Sequence, residues 1–286
     1  MSLRSRIFVL SVLGIALLGA GAVSPPAAVQ SGSFGHGPVI VLVHGLGSHA
    51  EHWLPVARRL APRHRVVLVD LPGHGESAMP APFSLERATQ ALDRALARTS
   101  REPVVLVGHS LGGLVAAAEA CEHPARVRAL VLIETALRPQ VSPAERRALL
   151  SELDADYQGV LHGAYLAFGR DSAQGEALYR QVAAMEPSVV KPWIRLSCTA
   201  DLSRRVARLQ VPLLVVLAPR SWPRGEPWVE TAAILGYGSV PRVRAARVDS
   251  CGHYVMLDRP DDLARLLERF ADAPGGSPVA FTPLVR

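Results

Sequence analysis

The stretch Gly108-His109-Ser110-Leu111-Gly112 constrains this chain more than any other. It follows Pro103-Val104-Val105-Leu106-Val107, a short β-branched run of the kind that fills the middle of a parallel sheet. Leu111 to His123, rich in Ala and Leu, comes next and reads as helix. A strand that turns directly into a helix presses backbone against backbone, and glycine two residues to either side of Ser110 leaves room for that contact. The turn lifts the Ser110 hydroxyl out of the sheet and sets it at a helix N-terminus, where free N–H groups favour developing negative charge. This is the pattern of a nucleophile elbow.

The remaining apolar runs can be placed around that turn. Val39 to Val43 reads as a buried strand ending in His44-Gly45-Leu46-Gly47, where the N–H of Leu46 can join that of Leu111 as a pair of oxyanion donors. His44 fits there as a hydrogen bonder that orients the loop, because an oxyanion site needs backbone and not imidazole. The strand Val66 to Val69 runs into the Pro/Gly-rich turn Asp70 to Ser77, and Leu85 to Ala97 reads as an amphipathic helix. Val127 to Ile133 is a further buried strand, and it stops at Glu134. From Arg138 to about Arg205 the segment is helix-rich, without a β run, and carries Tyr157, Tyr165, Phe168, Tyr179 and Trp193, which read first as the core of a helical insertion. Strand pattern returns at Val211 to Leu217 and near Arg244 to Val248, leading to Gly252-His253. A last helix, with Leu263, Leu266, Leu267 and Phe270 at helical spacing, opens at Arg259-Pro260. This alternation of strand and helix predicts a parallel sheet covered on both faces.

Composition narrows the class. A chain of 286 residues with 49% apolar content can build one large α/β domain or two small ones. The net charge of +6 comes almost wholly from arginine, Lys191 being the single lysine, and no arginine cluster is interleaved with aromatics. The charge reads as solvated surface, not as a nucleic-acid footprint. Residues 1–22 read as an export signal: Arg4 and Arg6 form a basic start, Ile7 to Leu18 an apolar core, and Ala20-Gly21-Ala22 a small-residue cleavage site. An uncleaved membrane anchor is the alternative. Residues 23–37 read as a linker and 274–286 as a tail. Cys121, Cys198 and Cys251 match no metal-ligand spacing, and the sequence does not say which of them, if any, pair.

Four motifs in one order, His44-Gly45-Leu46-Gly47, Asp70-Leu71-Pro72-Gly73-His74-Gly75-Glu76-Ser77, Gly108-His109-Ser110-Leu111-Gly112-Gly113 and Gly252-His253 before Asp258-Arg259-Pro260, resemble the α/β-hydrolase family. The match runs over nearly the whole chain after the export segment. The resemblance implies a mostly parallel sheet of about six strands with helices on both faces. Residues 38–137 and 206–273 would form this core, and 138–205 a helical cap. It also implies Ser110 as nucleophile, His253 as base, Leu46 and Leu111 as oxyanion donors, and neither cofactor nor metal. Dehalogenation and epoxide opening are disfavoured, because relatives with that chemistry carry aspartate in place of Ser110.

Two departures stand out. Ser24 to His36 is too short for the antiparallel hairpin with which the family usually begins, and the turn Ala218-Pro219-Arg220-Ser221-Trp222-Pro223 lacks the aspartate that relatives place there. Glu134, at the end of the preceding strand, keeps the order serine, acid, histidine and leads as the candidate acid; Glu226 and Glu230 compete with it. The implied function is an exported, cofactor-free serine hydrolase. A carboxylesterase acting on a small-molecule ester through an acyl-serine leads, with no stable membrane insertion unless the export segment is retained. A non-catalytic small-molecule-binding protein on the same fold is the alternative.

Overall fold

The computed structural model describes residues 31–275. The export segment, the first part of the linker and the tail from residue 276 lie outside the described residues. The strands are β1 (Ser31–Phe34), β2 (Val39–Val43), β3 (Arg65–Val69), β4 (Val104–His109), β5 (Val127–Ile133), β6 (Leu213–Leu217) and β7 (Val243–Arg247). They form one sheet in the order β1-β3-β2-β4-β5-β6-β7, with β2 to β7 parallel and β1 antiparallel to β3.

The six parallel strands are the six apolar runs of the sequence. β1 is a seventh strand beside the about six expected, and it lies within the segment read as linker: Ser31 pairs with Val69 and Phe34 with Val66. Ser-Gly-Ser-Phe has no apolar alternation because an edge strand is held by its backbone, and Phe34 remains exposed.

Along each parallel strand, alternate residues face opposite layers. Val41, Val67, Leu106, Leu130 and Val215 pack into one core cluster, while Ile40, Leu42, Val66, Leu68, Val105, Val107, Val131 and Val216 pack into the other. The helices of the first half are α1 (Leu54–Leu60), α2 (Leu85–Thr99) and α3 (Leu111–Glu122). Between β5 and β6 lie α4 (Pro143–Ala155), α5 (Tyr157–Phe168), α6 (Ser172–Ala183), α7 (Pro187–Ser197) and α8 (Ser203–Val206). The chain closes with α9 (Trp228–Leu235), α10 (Val255–Asp258) and α11 (Pro260–Asp272). α2 and α3 cover the first face through Leu92, Leu96, Leu114 and Val115; α1 and α11 cover the second through Val56, Leu60, Leu263, Leu267 and Phe270. No helix among the described residues is long and apolar enough to cross a membrane.

Local chemistry sets the helix ends. The Ser84 hydroxyl caps α2 by accepting the Arg87 N–H, and Ser142 with Glu145 forms a reciprocal capping box at α4. α11 starts at Pro260, carries Asp261 and Asp262 in its first turn and Arg269 in its last, which suits the helix dipole.

The parallel topology places the site. The chain passes from β2 to β3 on one side, then returns to β4 on the other side of β2. That reversal opens a crevice at the carboxyl ends of β2 and β4, where open α/β sheets build their sites. His44 to Gly47 follows β2 and Ser110 follows β4, so both meet at this crevice.

Candidate active site

Ser110 sits between β4 and α3 with φ 52° and ψ −122°, a region that non-glycine residues seldom occupy. Its N–H donates to Ile133 O (2.9 Å), while its carbonyl accepts from Gly113 N (2.9 Å) and Thr135 Oγ1 (3.1 Å), so the turn is fixed on both sides. The two glycines leave the space that the turn needs. A Cβ on Gly108 would stand 2.6 Å from Gly113 Cα, and one on Gly112 would overlap the His44 carbonyl oxygen. The second contact also shows how closely the start of α3 lies against the loop after β2.

That loop is held by its neighbours. His44 donates from Nδ1 to Gly45 O (2.7 Å) and accepts the Leu71 N–H at Nε2 (3.1 Å), the two roles of a single neutral tautomer. His74 accepts the Gly47 N–H at Nε2 (3.2 Å), and the Tyr165 hydroxyl donates to Leu46 O (2.8 Å). Asp70 Oδ1 accepts the Ala50 N–H (2.8 Å). His44 thus orients the loop, and Leu46 and Leu111 line the same cavity as Ser110.

His253 stands on the loop after β7. Its N–H donates to Phe168 O (3.0 Å), its carbonyl accepts His109 Nε2–H (3.0 Å), and the Phe168 ring stacks on its imidazole with centroids 4.6 Å apart. Its Nδ1 lies 3.1 Å from Glu134 Oε2. Glu134 also has positive φ, 50°, and its side chain is 3% exposed. Its Oε1 accepts the Ala218 N–H (2.7 Å), and its Oε2 accepts the Ser221 hydroxyl (2.9 Å).

Of the three candidate acids, only Glu134 meets the histidine. Glu226 Oε1 accepts the Thr231 hydroxyl (2.9 Å), and Glu230 is exposed in the first turn of α9. Ser110, Glu134 and Ser250 are the non-glycine residues with positive φ among the described residues, so backbone strain collects at the candidate nucleophile, the candidate acid and the approach to His253.

A cavity of about 240 Å³ opens onto Ser110 and His253. Leu149 of α4, Val160, Leu161, Ala164, Tyr165 and Phe168 of α5 and Ile194 of α7 form much of its wall. The inserted helices therefore supply cavity wall as well as their own core: Trp193 is fully buried, donating from Nε1 to Pro72 O (3.1 Å), whereas Tyr165 and Phe168 face the site. Sequence reading missed Ser221, Tyr165 as a loop anchor and His109. Ser221 and His109 stand inside turns the sequence singles out, but what each of the three does depends on a contact between distant segments.

The three cysteines are free. Burial, followed by the nearby Glu134 carboxylate, pushes the Cys251 thiol up to about 12, and it donates to Val248 O (3.0 Å), so it is inert beside His253. One group among the described residues, Asp93, Glu119 and His123, has side-chain atoms close enough for a metal ion. It lies at the far end of α3 from Ser110, and Arg126 already pairs with Asp93 there.

Burial lowers several histidines: His52 to about 4, His74 to about 3, and His109 well below its ordinary value. Each binds fewer protons folded than unfolded, so its contribution to stability is full above about pH 6.5. That contribution is lost as pH falls through 6.5 towards 4. Glu119, raised to about 7 by burial, acts in the opposite sense, stabilising at low pH and losing that contribution as pH rises from about 4.5 to 7. Three histidines outweigh one glutamate, so the melting temperature should fall steadily between pH 7 and pH 4. Glu119→Gln should steepen the fall and His52→Gln should flatten it; a flat profile in the unaltered protein would contradict the assignment.

The model of the Alpha/beta hydrolase family matches residues 40–266. The chain belongs to the α/β-hydrolase family. The pimeloyl-[acyl-carrier protein] methyl ester esterase of Xanthomonas campestris pv. campestris (strain B100) is 32% identical over 255 residues, covering 84% of this chain and 97% of that relative. Among solved structures, a bromoperoxidase from Bacillus anthracis superposes with a TM-score of 0.74 at 18% identity, covering 87% of this chain and 97% of that one. A thermophilic esterase from Thermogutta terrifontis gives 0.69 at 22%, covering 85% and 92%. At those identities the two structures speak for the α/β-hydrolase fold alone.

Proposed function

We propose that this α/β-hydrolase is a serine carboxylesterase that cleaves small uncharged esters through an acyl-serine. Ester cleavage as the reaction class rests on the named esterase to which the chain is 32% identical. The finer reading rests on one observation, the bond from His253 Nδ1 to Glu134 Oε2 at the wall of the cavity that holds Ser110.

With Nδ1–H on Glu134, the imidazole keeps Nε2 free as a base. Nε2 takes the Ser110 proton as Oγ attacks the ester carbonyl carbon, and the carbonyl π pair moves onto oxygen. The oxyanion is met by the N–H groups of Leu46 and Leu111. As the tetrahedral intermediate collapses, the C–O bond to the alcohol breaks and Nε2–H protonates the leaving alkoxide. Water then repeats the sequence: His253 takes its proton, hydroxide adds to the acyl carbon, and Ser110 leaves with the proton. The carboxylic acid is released.

Among the described residues no carboxylate, lysine or arginine lines the cavity, whose ionisable groups are His109, His253, Tyr165, Tyr254 and Cys198, and this favours an apolar acyl chain. The test is covalent labelling by a fluorophosphonate, together with hydrolysis of p-nitrophenyl esters of graded chain length. A pimeloyl methyl ester belongs in the panel because the Xanthomonas relative is named for one. Label mapped to Ser110 with turnover supports the reading. A protein that neither labels nor turns over any ester would instead be a ligand-binding member of the fold.

We also propose that residues 1–22 direct export, on the strength of their basic start, apolar core and small-residue end. N-terminal sequencing from the native host should find the mature chain starting near Val23. Retention of Met1 in a membrane fraction would mean an anchor instead.

A further inference from the structure

We propose that Ser221 is a positioning residue for the reaction, fixing the Glu134 carboxylate against His253. The inference rests on reading Ser110, His253 and Glu134 as a triad. Glu134 Oε2 meets two donors, Ser221 Oγ at 2.9 Å and His253 Nδ1 at 3.1 Å, while Oε1 takes the Ala218 N–H at 2.7 Å. Ala218 and Ser221 belong to one tight turn after β6, closed by hydrogen bonds from Ser221 N (3.1 Å) and Trp222 N (3.0 Å) to Ala218 O. The turn grips the carboxylate by both oxygens.

The terminal torsion of a glutamate is broad and roughly two-fold, so a carboxylate left to itself does not hold one plane. Glu134 also projects from a left-handed backbone at the bend one residue beyond the end of β5, outside the regular alternation of the strand. The Ala218 N–H restrains one oxygen. The Ser221 hydroxyl restrains the other, and that is the oxygen His253 uses. A hydrogen bond to a carboxylate is also among the stronger ones, and here it falls on a side chain that is nearly buried.

Removing the hydroxyl leaves the cavity wall untouched and loosens the partner of His253. Ser221→Ala should lower kcat about ten-fold to a hundred-fold, the range for one hydrogen bond to a charged group, with KM unchanged. Ser221→Thr keeps a hydroxyl and should recover most of the loss. Ser221→Cys, with a weak donor, should fall between them.

A readout that a merely structural role would not move is the proton NMR resonance of the His253 Nδ1–H in the full-length protein. It should shift upfield and broaden in the alanine variant and return in the threonine variant. Ser221 is half-buried, so the alanine variant should fold, and melting curves check this; if it does not, the cysteine variant carries the same comparison. Wild-type kcat with an unmoved Nδ1–H resonance in Ser221→Ala overturns the proposal. If Glu134→Gln is meanwhile inactive, the triad stands without Ser221. If Glu134→Gln is active as well, the triad reading has failed with it.

Discussion

Ser110→Ala and His253→Ala should each lower kcat for a short p-nitrophenyl ester by a factor on the order of 10⁶, with the melting temperature within a few degrees of the unaltered protein. The loss follows from the geometry. Without Oγ there is no atom to form the acyl bond, and without the imidazole the hydroxyl keeps its proton and the leaving alkoxide receives none. The two residues act as one unit, so the double variant should be about as slow as either single one, and the residual rate should reflect the Leu46 and Leu111 donors acting on bound ester with water as nucleophile. Substantial turnover in either variant would sink the assignment. Ser110→Ala should also relieve none of the backbone strain, since the φ of 52° is imposed by the turn between β4 and α3 and alanine meets the same steric limit.

How much of this could be read from the chain depends on where each interaction is written. Val39 to Val43 or Leu213 to Leu217 are legible because a parallel strand buried on both faces must be apolar throughout, and that requirement is local. The elbow is legible for the same reason: Gly108 and Gly112 stand at fixed offsets from Ser110. β1 is not, because it joins β3 through backbone pairing, which leaves no apolar alternation in Ser-Gly-Ser-Phe to read.

The candidate acid stands between these cases. Chain order and strand position point to Glu134, and what sets it apart from Glu226 is that β5 and β6 run in register, Glu134 N–H bonding to Val216 O (2.9 Å), so that its carboxylate meets the turn at Ala218. The cavity wall was beyond reach altogether. Leu149, Phe168 and Ile194 look like any helical core residues, and only the packing of α4, α5 and α7 over the strand ends turns them towards Ser110.

Glu134→Gln should lower kcat by roughly 10²-fold to 10⁴-fold, as removal of the acid does in other triads. Glutamine keeps the shape of the side chain but has only one oxygen. Oε1 would go on accepting the Ala218 N–H, which turns the amide –NH₂ towards Ser221 and His253. A donor facing Nδ1 forces the imidazole to carry its proton on Nε2, so the nitrogen that should take the serine proton is already occupied. The imidazolium formed in the transition state also loses its charged partner, in a place where the side chain is almost fully buried and water cannot substitute. Glu226→Gln and Glu230→Gln touch neither effect, since Glu226 answers to Thr231 and Glu230 is exposed, and each should cost less than about ten-fold. Near-normal kcat in Glu134→Gln, with a collapse in either of the others, would move the acid to the segment after β6 and refute the role given to Glu134.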